Sequence, residues 1–182
     1  GIKVKNIEEE SQFLLENFFD WFFEIGYSEL IFADRVILYE GDSERLYIRK
    51  LIKLPEFSAL TDSYIAFIQV GGAYAHNYLP ILKMLKMKTL IITDLDYNKD
   101  AMSMEEVKRE DSKSTNATIN YCYRLVHADR EKDYSPTIKE LYDFQVKGES
   151  VLYNGLVYLT FQDEKSTART LEEAMLNKLL KV

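Results

Sequence analysis

Two aspartates spaced one residue apart, Asp94 and Asp96, have the types and positions needed to bind a metal ion. They end the segment 88–96, whose apolar run is typical of a buried strand. Residues i and i+2 share one face of a strand, and at the carboxyl end of a parallel strand that face borders a ligand crevice. Paired carboxylate oxygens suit Mg²⁺ or Mn²⁺. The alternative is an aspartate-rich turn that closes a core strand, and only a second acidic strand end favours the metal site.

A second acidic corner lies earlier in the chain. The apolar run 36–39 is followed by Glu40, and Ser43 is placed to cap a helix that runs toward Leu54. Glu44 then falls in the first turn of that helix. If the two strands are neighbours in a parallel sheet, with another strand and helix between them along the chain, both corners point to one place.

Length and composition are those of one folded α/β domain with a short attached segment. The chain has 182 residues, 47% hydrophobic and 29% charged. Cys122 is the single cysteine, which excludes an internal disulfide and favours a reducing, cytoplasmic location. No signal pattern or membrane-length apolar run is present, so we expect no membrane partner. The formal charge, 23 − 30 = −7, opposes nonspecific attraction to nucleic acid unless cations or a partner reverse the local field.

Apolar periodicity and capping residues predict the remaining elements. Residues 8–26 are predicted to form an aromatic helix with a broad apolar surface, packed either on the sheet of this domain or on a second domain or subunit. The other expected elements are a strand over 64–70, a helix over 73–86, a helix over 117–125 capped from 114–116, a helix over 136–144, and a strand over 156–161. The pair Gly71 and Gly72 forms either a plain sharp turn or a close approach to a phosphate. The polar connection 97–118 is long enough to be functional or mobile.

The last segment, 171–180, is predicted to be a helix capped by Thr170. Acids in the first turn of a helix, here Glu172 and Glu173, usually stabilise the helix dipole. Lys165 and Arg169 beside them fit solvated surface positions.

Taken in order, three motifs resemble the Toprim nuclease domain of the OLD (overcoming lysogenization defect) family, which includes Gabija-type anti-phage nucleases. The motifs are 39–44 (YEGDSE), 93–96 (TDLD) and 165–172 (KSTARTLE). The resemblance extends from Phe32 to the C-terminus. It implies a compact α/β fold with a parallel central sheet flanked by helices. It divides the chain into an N-terminal helical attachment segment, residues 1–30, and a Toprim nuclease domain, residues 31–182.

The resemblance also implies a role for each acidic residue. The ligands of one or two Mg²⁺ or Mn²⁺ ions would be Glu40, Glu44, Asp94, Asp96 and Glu172. The catalytic residues would be Glu40, Asp94 and Lys165, with Lys165 beside the scissile phosphate. Thr115 and Asn116 would complete the ligand shell through side-chain oxygens. Two cations about 4 Å apart can activate a water and stabilise the leaving oxygen of a phosphodiester.

The activity implied is metal-dependent hydrolysis or nicking of DNA, in phage defence or DNA processing. Members usually carry an ATPase region upstream, and these 182 residues contain no Gly-x-x-x-x-Gly-Lys-Ser/Thr loop, so we expect the C-terminal part of a longer ATPase–nuclease. Expected partners are DNA, that ATPase region, further copies of the chain and a helicase-type defence protein. Two alternatives remain: a Toprim domain kept for dimerisation or partner docking, and a glycosyl- or phosphotransferase that uses Asp-x-Asp with a metal-bound nucleotide.

Overall fold

The centre of the molecule is a mostly parallel sheet. The computed structural model describes residues 28–60, 62–71, 74–97, 112–164 and 168–180. The strands in that part of the chain are β1 Arg35–Tyr39, β2 Ile65–Gln69, β3 Lys88–Ile92, β4 Val151–Leu152 and β5 Val157–Thr160. Their order is β2-β1-β3-β5-β4, and only the pairing of β4 with β5 is antiparallel. The predicted α/β fold with a parallel central sheet is therefore confirmed.

Helices connect and cover the strands. They are α1 Ser28–Phe32, α2 Asp42–Leu51, α3 Leu79–Met84, α4 Ala117–Val126, α5 Ile138–Val146 and α6 Leu171–Leu180. Two 3-10 turns span Pro55–Leu60 and Ala75–Tyr78. Within the described ranges, no helix combines the length and apolar character needed to cross a bilayer.

The two faces of the sheet are covered to different extents. Alternate strand residues such as Leu38 and Ile91 join a fully buried cluster with side chains of α3, α4 and α5. The opposite face carries Ile37, Leu90 and Ile92, which line an apolar cavity of about 340 Å³. Residues of α2 and α6 line the same cavity, so these two helices lie over the ends of the central strands.

The two acidic corners lie side by side, an arrangement that their spacing allows. β1 pairs directly with β3 in parallel, with Leu38 opposite Ile91, while β2 occupies the other side of β1. Parallel strands end at the same edge of a sheet, so Glu40 and Asp94 emerge at that edge.

Three local predictions are corrected by the structure. β3 ends at Ile92, so Asp94 and Asp96 follow the strand, and the left-handed φ of 35° at Asp96 ends strand alternation. The N-cap of α2 is Gly41 in place of Ser43, because the helix begins at Asp42, two residues earlier than a Ser43 cap requires. In place of one continuous helix over 73–86, the structure has a 3-10 turn followed by α3. Pro80 lacks a backbone N–H and its ring clashes with the preceding turn, so an α-helix cannot continue through it.

Some of the remaining predictions can be compared with the structure, and others concern residues that it does not describe. Helices α4 and α6 and strands β2 and β5 form where the patterns predict them. Helix α5 begins at Ile138, two residues after its predicted start, because Thr137 forms the N-cap and a capping box with Glu140. The aromatic helix over 8–26, most of the polar connection and Lys165 lie outside the described residues. The division at residue 30 stays a prediction.

Candidate metal centre

Three carboxylates from separate elements meet at the ends of β1 and β3. Glu44 comes from the first turn of α2, Asp94 follows β3, and Glu172 comes from the first turn of α6. One oxygen of each lies within 4.8 Å of the others. Carboxylates this close repel one another, and a divalent cation relieves that repulsion. The donors are all oxygen atoms, the set that Mg²⁺ and Mn²⁺ prefer.

Glu44 is held in place by the glycine that precedes its helix. Its Oε2 accepts a hydrogen bond from the Gly41 N–H at 2.9 Å, and Glu44 is only 4% exposed. A Cβ at position 41 would lie 3.1 Å from that same oxygen. A side chain at position 41 would crowd that oxygen, so the glycine leaves room for the carboxylate to fold back onto the backbone.

Asp94 is held by two donors from distant parts of the chain. Its Oδ1 accepts hydrogen bonds from Gln162 Nε2 at 2.8 Å and from the Leu171 N–H at 3.0 Å. Burial raises the pKa of Asp94 to about 6, against the opposing effect of these two hydrogen bonds, and repulsion from Glu40 and Glu44 adds to the rise. A nearby cation would stabilise the ionised form of this carboxylate.

Glu172 is the exposed member of the group. A hydrogen bond with the Ser43 side chain lowers the pKa of Glu172 and links α6 to α2. The neighbouring Glu173 takes part in the helix start: its N–H donates to Thr170 Oγ1 at 3.3 Å, and its Oε2 accepts the Arg169 N–H at 2.8 Å. The two adjacent acids thus have different tasks, and Glu172 faces the other carboxylates.

Glu40 and Asp96 form a second acidic group beside the first. Glu40 Oε1 accepts hydrogen bonds from Thr93 Oγ1 and, at 3.4 Å, from Asn116 Nδ2. Burial raises the pKa of both carboxyls, and repulsion from Asp96 raises that of Glu40 further. Glu40 also raises the pKa of Asp94, so it lies near both Asp94 and Asp96, and the predicted five-residue ligand shell stays a prediction.

Asn116 connects the two groups from a fully buried position. Its Oδ1 accepts the Ile119 N–H at 3.1 Å and so caps α4, as predicted. Its Nδ2 donates to Thr93 Oγ1 at 2.8 Å and to the Asp94 carbonyl oxygen at 2.9 Å. Its oxygen is thus engaged in the cap, which gives Asn116 a positioning role. Thr115 is exposed, and its N–H donates to the Asp96 carbonyl oxygen at 3.0 Å.

Gln162 is the residue that the sequence patterns miss. Besides binding Asp94, it accepts the Leu95 N–H through Oε1 at 2.7 Å. The one sequence signal for it is its position just after β5, at the edge where parallel strands end.

The motif 165–172 contains two cationic residues, Lys165 and Arg169, and the structure describes only Arg169. Lys165 lies outside the described residues. The Arg169 guanidinium lies 5.0 Å from the centroid of the Tyr97 ring and donates to the Tyr97 carbonyl oxygen at 3.4 Å. Its positive charge opposes the rise in the pKa of Asp96, which burial causes.

Comparisons with known proteins agree with the motifs. Residues 31–96 match the family described as "Overcoming lysogenization defect protein-like, TOPRIM domain". The chain is also 27% identical over 159 residues to "Endonuclease GajA" of Bacillus cereus (strain HuB5-5). That match covers 85% of this chain and 22% of the relative, so the chain spans about a fifth of the length of the curated protein that it matches.

Proposed function

Because the chain carries a Toprim domain of the OLD/Gabija family, we propose that it is the nuclease part of a divalent-metal-dependent DNA endonuclease. The observation that supports this most directly is the meeting of Glu44, Asp94 and Glu172 from three separate elements. The matched relative is named an endonuclease, which supports this reaction class.

The donor set fits the chemistry that phosphodiester hydrolysis requires. A divalent cation bound by these carboxylates would supply a Lewis acid for the attacking water and the leaving oxygen. The protein supplies a fixed set of oxygens, with Asp94 pinned by two N–H groups and Glu44 by one. The proposed cofactor is one or two ions of Mg²⁺ or Mn²⁺, with Glu40 and Asp96 beside the three-carboxylate group.

Glu40, Asp94 and Lys165 are the proposed catalytic residues. Burial raises the pKa of Glu40, which makes its carboxylate a stronger base beside the centre. The role of Lys165 beside the scissile phosphate rests on the resemblance, since Lys165 lies outside the described residues.

The wider assembly is part of the same proposal. DNA is the substrate, and an ATPase region in a longer protein regulates cleavage, alongside further copies of the chain and a helicase-type defence partner. The net charge of −7 means that cations or these partners must provide much of the attraction for DNA.

A docking or dimerisation module without catalysis is the second candidate. One observation favours it: the apolar cavity beneath α2 and α6, where Leu90 and Ile92 remain partly exposed. Among the described residues, no observation beyond the spacing of Asp94 and Asp96 favours the transferase alternative.

Nicking of supercoiled plasmid by the intact protein tests the proposal. Asp94→Ala should abolish Mn²⁺-dependent nicking, and Glu172→Gln should weaken it strongly. Glu173→Gln is the matched control, because it changes the adjacent acid of the same helical turn outside the three-carboxylate group. Wild-type nicking by Asp94→Ala would refute the site. An unchanged melting temperature of the wild type in Mn²⁺ would favour the docking module.

A further inference from the structure

One oxygen of Asp94 already has its hydrogen bonds. Oδ1 accepts from Gln162 Nε2 at 2.8 Å and from the Leu171 N–H at 3.0 Å. A carboxylate oxygen has two lone pairs, so these two donors occupy it. Oδ2 is then the oxygen of Asp94 that is left for a cation.

The orientation of the Gln162 amide is fixed by its second contact. Its Oε1 accepts the N–H of Leu95 at 2.7 Å, in a site where Gln162 is 8% exposed. The reversed amide would place its NH₂ against that N–H and its oxygen against the carboxylate, which leaves both unsatisfied. The Nε2 donor therefore points to Asp94.

The sheet register sets this contact rigidly. Ile92 of β3 pairs with Thr160 of β5, and the Thr93 N–H donates to the Thr160 carbonyl oxygen at 3.2 Å. Asp94 and Gln162 each lie two residues beyond this last pair. The two residues thus follow neighbouring parallel strands at the same edge of the sheet.

Building on the proposed metal centre, we propose that Gln162 is a positioning residue that holds Asp94 as a one-oxygen ligand and so selects Mg²⁺ or Mn²⁺ over Ca²⁺. Small octahedral cations such as Mg²⁺ take one oxygen from each carboxylate, whereas Ca²⁺ accepts more ligands and can bind a carboxylate through both oxygens. Engaging Oδ1 removes the two-oxygen mode that Ca²⁺ uses.

The test compares the dissociation constants of Mn²⁺ and Ca²⁺, measured by calorimetry on the purified nucleotide-free protein. Binding that persists in Asp94→Ala is subtracted as unrelated to this site. Gln162→Met keeps the length of the side chain and removes the donor. The Kd of Mn²⁺ should rise about 10- to 100-fold, as for other residues that orient ligands. The Kd of Ca²⁺ should rise less, so that the ratio of Ca²⁺ to Mn²⁺ constants falls about tenfold.

Gln145→Met is the matched control. The Gln145 amide bonds the backbone of Phe161 and Gln162, so it supports the same segment without supplying the donor to Asp94. The ratio of the Ca²⁺ and Mn²⁺ dissociation constants of Gln145→Met should stay at the wild-type value. An equal change in both glutamine variants would assign Gln162 a merely structural role and overturn the proposal.

Leu171→Pro removes the other donor to Oδ1 and keeps the test decisive if Gln162→Met fails to fold. Leu171 is the first residue of α6, a position where proline is well accommodated. The Ca²⁺ to Mn²⁺ ratio should fall in this variant too. Wild-type ratios in the folded variants would overturn the role of Gln162 while leaving the metal centre intact. Equal Mn²⁺ binding by the wild type and Asp94→Ala would instead refute the metal centre, and the selectivity role with it.

Discussion

Replacing Asp94 with asparagine should stabilise the metal-free protein and remove its stabilisation by Mn²⁺. Asparagine keeps an oxygen that can accept from Gln162 Nε2 and the Leu171 N–H, the two contacts of the wild-type carboxylate. Its amide nitrogen replaces the other oxygen. A neutral donor then lies near Glu44 and Glu172, where a negative charge stood before.

The size of the effect follows from the pKa of Asp94. Burial, with added repulsion from neighbouring acids, raises this pKa from 3.8 to about 6. At about 1.36 kcal/mol per pH unit, the difference corresponds to about 3 kcal/mol. Asp94 is only partly buried, and solvent screening reduces the expected gain in unfolding free energy to about 1 kcal/mol.

The raised pKa of Asp94 also sets the direction in which the unfolding free energy changes with pH. Because the folded state raises the pKa of Asp94, its contribution to stability is fully present below pH 3.8 and is lost as the pH rises through about 6. Position 94 of the variant does not titrate. The variant's advantage over the wild type should therefore grow between about pH 4 and about pH 7 and then level off.

Urea unfolding in EDTA and in Mn²⁺ measures both effects. A free Mn²⁺ concentration of about 100 times Kd should stabilise the wild type by about 2.7 kcal/mol. In Mn²⁺ the wild type should therefore be more stable than Asp94→Asn. Asp42→Asn is the control, since it neutralises an exposed carboxylate at the start of the same helix as Glu44 and should not remove the Mn²⁺ effect. A variant less stable than the wild type in EDTA near neutral pH, or equal stabilisation of both proteins by Mn²⁺, would refute the reasoning.

Three further predictions concern protons, the buried amide and the cationic motif. Because the pKa of Asp94 is about 6, Mn²⁺ affinity measured by titration should fall below that pH, by up to about tenfold per pH unit, and a constant affinity would contradict this. Asn116→Ala should lower the unfolding free energy in urea by about 2 kcal/mol, through loss of the α4 cap and of buried hydrogen bonds. The exposed Thr115→Ala should change it by less than about 0.5 kcal/mol, and equal losses would exclude the cap as the cause. In single-turnover cleavage, Lys165→Ala should slow the reaction about 10²- to 10³-fold with Mn²⁺ affinity retained, as for loss of one transition-state donor. Arg169→Ala is its control, and equal small losses would return Lys165 to a surface role.

Local patterns in the sequence were sufficient for the framework of the site. Apolar runs located β1 and β3, and Asn116 and Thr170 were recognised as helix caps because each cap bonds the backbone a few residues away. The length of chain between β1 and β3 allowed them to be parallel neighbours, and the structure pairs them. The order of the acidic motifs was enough to indicate the family.

The grouping of the side chains depended on tertiary structure. Asp94 and Asp96 are two residues apart, yet β3 ends before them, and Asp94 meets Glu44 and Glu172 while Asp96 lies beside Glu40. Gln162 and Leu171 reach Asp94 from 68 and 77 residues away. No local period or cap encodes such contacts, because they arise only when β5 pairs with β3 and the first N–H groups of α6 arrive at the same edge of the sheet.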